Sequence, residues 1–351
     1  MIRLTIASSL LALLTACGDG QPLFDETTTD TDTTDTDTTD DGEDSDGGID
    51  NDGAVTVLPG TTNASSDTGI FRFEEAVDGG GLVEAVAYDS ATDTFTVDGI
   101  GFDGENVYTR MPGTLATVGT ARVFGASSSV TDPLTGTPVD QVTPYRALYG
   151  VSKNQADGQP ITSYAIVRTG GYVPYGFGGF VYQRDGGVTL PETGQATFSG
   201  DYSGIRVFNN RGGLEYTTGD MSMQIDFEDF NANDAVKGRL TNRIAIDQFG
   251  NEIELGTEDG DLQLPDVTIS IQEGSPSIDS NGEISTDMGS YISNGEGGIE
   301  VYETGTFNGL VAGDATNLPG GEIVGVIVLE STDPRYTDVT VQETGGVILY
   351  R

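Results

Sequence analysis

Residues 190–208 read LPETGQATFSGDYSGIRVF, residues 220–230 read DMSMQIDFEDF and residues 235–243 read AVKGRLTNR. In the first, Ala196, Phe198, Gly200, Tyr202 and Gly204 alternate with Thr197, Ser199, Asp201 and Ser203. In the second, Met221, Met223, Ile225 and Phe227 alternate with polar residues. In the third, Val236, Gly238, Leu240 and Ile244 alternate with Lys237, Arg239, Thr241 and Arg243. A period of two marks strands with one dry and one wet face. The apolar phase slips from even to odd at Gly204, which reads as a bulge.

Outward from this stretch, further strands are expected at 266–271, 283–288, 298–306, 322–329 and 345–351. The run EIVGVIVL at 322–329 is nearly all apolar and predicts burial on both faces. Eight strands suffice to close a barrel filled by its own side chains, and closure removes aggregation-prone edges. The polar faces carry Asp, Glu, Lys and Arg, where a membrane barrel needs a tall apolar band. The fold class expected is therefore all-β: a soluble eight-stranded antiparallel β-barrel over residues 188–351.

The motif Leu190-Pro191-x-Thr193-Gly194-x-Ala196-Thr197-Phe198-x-Gly200-x-Tyr202-x-Gly204 resembles the opening strand of the C-terminal barrel of transferrin-binding protein B-like lipoproteins. Factor H-binding protein belongs to the same structural group. Gly305-Thr306-Phe307-Asn308-Gly309 and the final Glu343–Tyr350 segment resemble later strands of that barrel. The likeness covers about the last half of the chain. It implies a β-rich "handle" before the barrel, at residues 54–187, and a binding role without catalysis. The chain holds one barrel-like half rather than two complete lobes.

The handle region carries candidate strands at 70–75, 82–88, 94–97, 118–125, 145–151, 163–168 and 179–183. Asp-Gly and Gly-Gly pairs separate them, as turn chemistry requires. Within it, residues 170–180 read GGYVPYGFGGF. Rings on an adaptable glycine backbone suit a contact surface, so Tyr172, Tyr175 and Phe177 are the candidate ligand-binding residues. The competing reading folds these rings inward as a plug between the two regions.

The first sixteen residues have a cationic start and an apolar stretch too short for a stable span, as in a signal peptide. They end Leu14-Thr15-Ala16 before Cys17, which resembles a bacterial lipobox. That likeness implies diacylglycerol on Cys17 and anchorage by several acyl chains, palmitate among them. Cys17 is the one cysteine in the chain, so an internal disulfide is impossible. Gly18 stands where an inner-membrane retention Asp would be, so a Gram-negative host implies outer-membrane location. Which side of that membrane the protein faces stays open.

Residues 17–53 then form an acidic Asp/Thr-rich tether. Fourteen acids and no base lie between Asp19 and Asp52. Such a run buries no apolar surface and is expected to be disordered. A coil of this length spans roughly 30–35 Å, and more under self-repulsion. Asp44, Asp46, Asp50 and Asp52 resemble half-loops of calcium-binding repeats, but the closing bidentate Glu is missing.

The formal charge is −41, from 56 acids against 15 bases. That excludes a nucleic-acid partner on electrostatic grounds. Absence of His removes imidazole bases and ligands, and no nucleophile elbow or phosphate loop occurs, so neither an enzyme nor a cofactor is expected. The composite expectation is an outer-membrane lipoprotein that binds a protein or small solute. A structural envelope protein without ligand and a carboxylate-based hydrolase are the alternatives.

Overall fold

The computed structural model describes residues 57–351 apart from 76–82, 99, 101–106, 127–128, 133, 141–143, 172–173, 229–234, 256–262, 271–276 and 295–296. The described chain is strand and turn, with one 3-10 turn at Gly113–Ala116.

Eight strands form the main path of the first sheet, and a short ninth, Thr117–Val118, pairs beside it with Ala121–Ala126. The eight are β1 (Ile70–Phe73), β2 (Ala85–Asp89), β3 (Thr94–Asp98), β4 (Val107–Arg110), β5 (Ala121–Ala126), β6 (Tyr145–Val151), β7 (Thr162–Thr169) and β8 (Gly178–Arg184). They pair antiparallel in the order β1-β8-β7-β6-β5-β4-β3-β2. The sheet curls without closing. Its inner face packs Phe95, Tyr108, Phe124, Tyr145, Ala165 and Val167 into a core of its own. β4 has no counterpart among the sequence expectations. It is four residues long and only Tyr108 is buried, so no alternation announces it.

The second sheet is a closed barrel of eight strands, as expected. Its members are β9 (Gln195–Asn209), β10 (Leu214–Asp226), β11 (Val236–Ile246), β12 (Val267–Ile269), β13 (Glu283–Ser293), β14 (Ile299–Asp314), β15 (Glu322–Thr332) and β16 (Thr340–Tyr350). Each pairs antiparallel with the next, and β16 closes on β9 through Tyr202↔Val347 and its neighbours. Phe198, Tyr202, Met221, Met223, Ile225, Phe227, Val236 and Leu240 all point into one buried cluster. Outward positions such as Asp220, Ser222, Gln224 and Lys237 are exposed, where a lipid-facing wall would be apolar.

The register corrects two local readings. β9 pairs with β10 without a break from Gln195 to Val207, so Gly204 is not a bulge. The phase slip has another cause. Beyond Gly204 the outside of β9 is covered by the first sheet, so Ile205 and Val207 are buried there. The inside becomes polar, with Arg206 buried in the barrel. The register shift lies instead between Thr218 and Asp220, opposite Asn242 at φ 52°. Asn tolerates that left-handed backbone. The shift turns Arg243 inward and leaves Ile244 41% exposed, the reverse of simple alternation.

The outer face of the first sheet packs on β9, β10, β14, β15 and β16. Leu148, Tyr164, Ile166, Phe180 and Tyr182 meet Ile205, Val207, Tyr216, Leu310, Val324, Val326 and Ile348 in one cluster. This explains why EIVGVIVL has no wet face. Polar locks border the contact. Arg72 grips Glu283 through Nε and Nη2, at 2.8 and 2.6 Å, with both side chains buried. Glu322 accepts hydrogen bonds from Ser152, Asn154 and Thr162 at 2.5–2.7 Å.

Two adjacent glycines on β16 receive rings from opposite sides. A Cβ on Gly345 would lie 2.1 Å from the ring of Tyr202, inside the barrel. One on Gly346 would lie 2.2 Å from the ring of Tyr164, which reaches across from the first sheet. The same Tyr164 ring lies over Gly150. Gly346→Ala is therefore expected to destabilise by about 1–3 kcal/mol, the usual cost of overpacking a filled site. A urea titration followed by circular dichroism checks this, and an unchanged midpoint would refute it.

Candidate functional site

Charge concentrates in two places among the described residues. One is sealed inside the barrel. Arg243 makes two hydrogen bonds to Glu303, at 2.7 and 2.9 Å, and one to Glu343 at 2.8 Å. Tyr202 and Thr217 donate to the other Glu343 oxygen at 2.8 and 3.0 Å. Arg206 lies 3.4 Å from Glu215, and Arg335 joins Glu215 to Asp333. Burial alone would raise the Glu343 carboxyl. Arg243 and Arg206, with the Tyr202 and Thr217 hydroxyls, more than offset that and hold it below the ordinary carboxylate range. The converging carboxylates are thus neutralised by arginine and closed off, the opposite of an open acid–base pair.

The other place is an open cleft of about 1220 Å³. It runs along the rim where β6 ends and β7 begins, between the first sheet and strands β9 and β16 of the barrel. The hairpin of Gln155–Ala156 with Gln159–Pro160 borders it. Its lining includes Arg122, Lys153 and Arg351 but one acid, Asp201. In a chain of charge −41, that is a local inversion of sign.

Each wall is built from the strands upward. On the first sheet, the Arg122 guanidinium lies 5.1 Å from the centroid of the Tyr88 ring. Tyr88 sits 5.2 Å from Tyr149 and donates its hydroxyl to Asp93 at 3.0 Å. Burial raises the Tyr149 hydroxyl pKa, and Arg122 works against that rise. At the barrel, the Lys153 ammonium is 3.8 Å from the Tyr350 ring centroid. The Lys153 amide donates to the Tyr350 hydroxyl at 3.0 Å, and its neighbours Ser152 and Asn154 are both held by Glu322. Arg351 donates to the Ala315 carbonyl, so its charge is partly engaged.

The Gly-aromatic stretch is placed differently. Tyr175 is half-buried against the cluster between the sheets, and its hydroxyl shares a 2.7 Å hydrogen bond with Thr340. Its amide donates to the Phe208 carbonyl. Phe177 is half-buried against the inner core of the curled sheet. The two rings therefore face different cores and do not form one surface. Tyr172, Cys17, Asp44, Asp46, Asp50 and Asp52 lie outside the described residues. Sequence reading missed the cleft, because Arg122 and Lys153 carry no motif. The signal present was scarcity: in so acidic a chain each base is worth placing.

No family model matches the chain, and no curated protein sequence matches it. Among solved structures, it is similar to a double mutant of transferrin-binding protein B from Haemophilus parasuis, at 11% identity and a TM-score of 0.32, covering 74% of this chain and 41% of that one. A single mutant of the same protein gives 12% identity and a TM-score of 0.28, with 64% and 41% covered. The chain thus spans about two-fifths of those proteins. A Bacteroides fragilis protein, whose outer-membrane assignment is itself an inference, gives 13% identity and a TM-score of 0.21, with 81% and 96% covered.

Proposed function

We propose that the chain is a non-enzymatic binding module, lipid-anchored at Cys17 in the outer membrane and held off the surface by its acidic run. Its ligand is taken in the cleft between the curled sheet and the barrel. The observation that carries this reading is the cleft itself. It is concave and roomy, and it is lined by aromatic faces with a few placed charges, the usual make-up of a ligand site. The exposed portions of Tyr175 and of Phe177 are two further, separate proposed contacts. A carboxylate hydrolase is disfavoured because the open cleft is lined by a single acid, Asp201.

Ser199 is exposed on β9 and lines the cleft. Ser199→Trp should intrude on the part of the cleft beside β9. A panel of cationic, neutral and anionic solutes is screened by thermal shift on the native full chain and on this variant. A solute that stabilises the native protein and not Ser199→Trp supports the reading. Equal stabilisation of both, or stabilisation of neither by any solute, refutes it.

A further inference from the structure

The charge of the cleft lining indicates what enters it. Bases are scarce in this chain, and nearly all the described ones are committed. Arg72, Arg110, Arg168, Arg206, Arg211, Arg239, Arg243 and Arg335 form ion pairs. Arg184 is used by backbone carbonyls of Asn281, Val311, Ser65 and Thr68, Arg146 by that of Tyr145 and Arg351 by that of Ala315, and Lys237 is engaged as well. Arg122 and Lys153 differ. Among the described residues neither forms an ion pair, and each rests on a tyrosine face; the Lys153 charge acts on Glu322 only at longer range, where it works against the rise that burial gives that carboxyl. Both line the same cleft.

An unpaired cation is unremarkable on an open surface. Here two are kept in a partly enclosed space, in a protein with nearly four acids for every base. Lys153 is also fixed in place. Its amide is bonded to Tyr350 and its two neighbours are bonded to the buried Glu322. Glu322 is itself occupied by Ser152, Asn154 and Thr162, and burial raises its pKa. The loop is therefore preorganised before any ligand arrives, which cuts the ordering cost of binding. A ring face leaves most donors of a guanidinium or ammonium free to point elsewhere, and such donors suit the oxygens of a carboxylate or phosphate. Beside them lie the apolar surfaces of Val86, Tyr149 and Ile348.

Building on the cleft reading above, we infer that the ligand class is a small organic anion, a carboxylate or phosphate carried on an apolar or planar body. Arg122 and Lys153 hold the oxyanion and the tyrosine faces receive the body. The protein's overall negative field repels anions at long range. Selectivity therefore comes from the short-range contacts inside the cleft, which salt screens less than the long-range repulsion.

The test uses the full chain and four defined probes in calorimetric titration: benzoate, phenyl phosphate, benzyl alcohol and benzyltrimethylammonium. Inorganic phosphate is the fifth arm. Benzoate or phenyl phosphate should bind, inorganic phosphate more weakly, and the neutral and cationic probes at least tenfold more weakly than the anion. Arg122→Gln with Lys153→Gln should lower anion affinity at least tenfold while the circular dichroism melt stays unchanged. Should the double variant melt early, Lys153→Gln alone is read in its place. Benzyl alcohol binding as tightly as benzoate, and lost in Ser199→Trp, would overturn the anion inference and leave the cleft reading standing. Anion binding that survives the double substitution would overturn it as well. No binding of any probe would count against both readings.

Discussion

Arg243→Ala is expected to lower the unfolding free energy by about 3–5 kcal/mol, the range seen when one partner of a buried ion pair is removed. Arg243 is buried between Glu303 and Glu343, and its loss strands two carboxylates in the barrel. The sign of the pH dependence follows. Glu343 is held below the ordinary range in the native protein. Its contribution is thus present above the unfolded-state pKa of about 4.3 and lost as pH falls through the lowered folded value. In the variant its principal counter-charge is gone and burial dominates, so the folded carboxyl moves up instead. The variant then takes up a proton more readily on folding, and its deficit against the native protein shrinks between about pH 7 and pH 5. Urea titrations at both values measure it. The chain has no Trp and 14 Tyr, so tyrosine emission and circular dichroism are the probes. A deficit below about 1 kcal/mol, or one independent of pH, would contradict this account.

Phe227→Ala should cost a similar amount, about 3–5 kcal/mol, by a different mechanism. The ring is 1% exposed and belongs to the apolar half of the barrel, with Phe198, Ile225 and Ala235. Its amide donates to Gly194, which ties the end of β10 to the start of β9. Truncation leaves a cavity in a closed wall that collapses poorly. No charge changes, so this deficit should not vary with pH, which separates it from that of Arg243→Ala. Lys237→Ala, on the exposed face of β11, serves as the control and should stay within about 0.5 kcal/mol. A loss under about 1 kcal/mol for Phe227→Ala would mean the ring is not core.

The barrel was legible because one environment lies inside it and another outside, and period-two patterning records that contrast. The first three strands could be placed this way, with their inward residues around Phe198 and Met223, whereas 322–329 was placed by its continuous apolar run. The pattern misled wherever the contrast changed along a strand. On β9 the outside becomes dry and the inside charged beyond Gly204, so an unbroken strand looked bulged. On β11 the true irregularity hides at Asn242, where polarity continues without interruption. The cleft was illegible for a further reason. Arg122, Lys153 and Tyr350 come from three distant segments, and only the docking of the two sheets brings them to one space. The aromatic stretch at 170–180 had two readings in sequence terms. The half-burial of Tyr175 and Phe177 shows each ring seated mainly on a core.

The glycine pair on β16 carries a consequence for descent. Gly345 answers to the barrel alone, through the Tyr202 ring, whereas Gly346 answers to the union of barrel and first sheet, through Tyr164. A related lineage that kept the barrel and shed its partner sheet would still be bound to the first glycine and released from the second. Two neighbouring letters of one strand thus answer to separate demands, one of closing the cylinder and one of joining it.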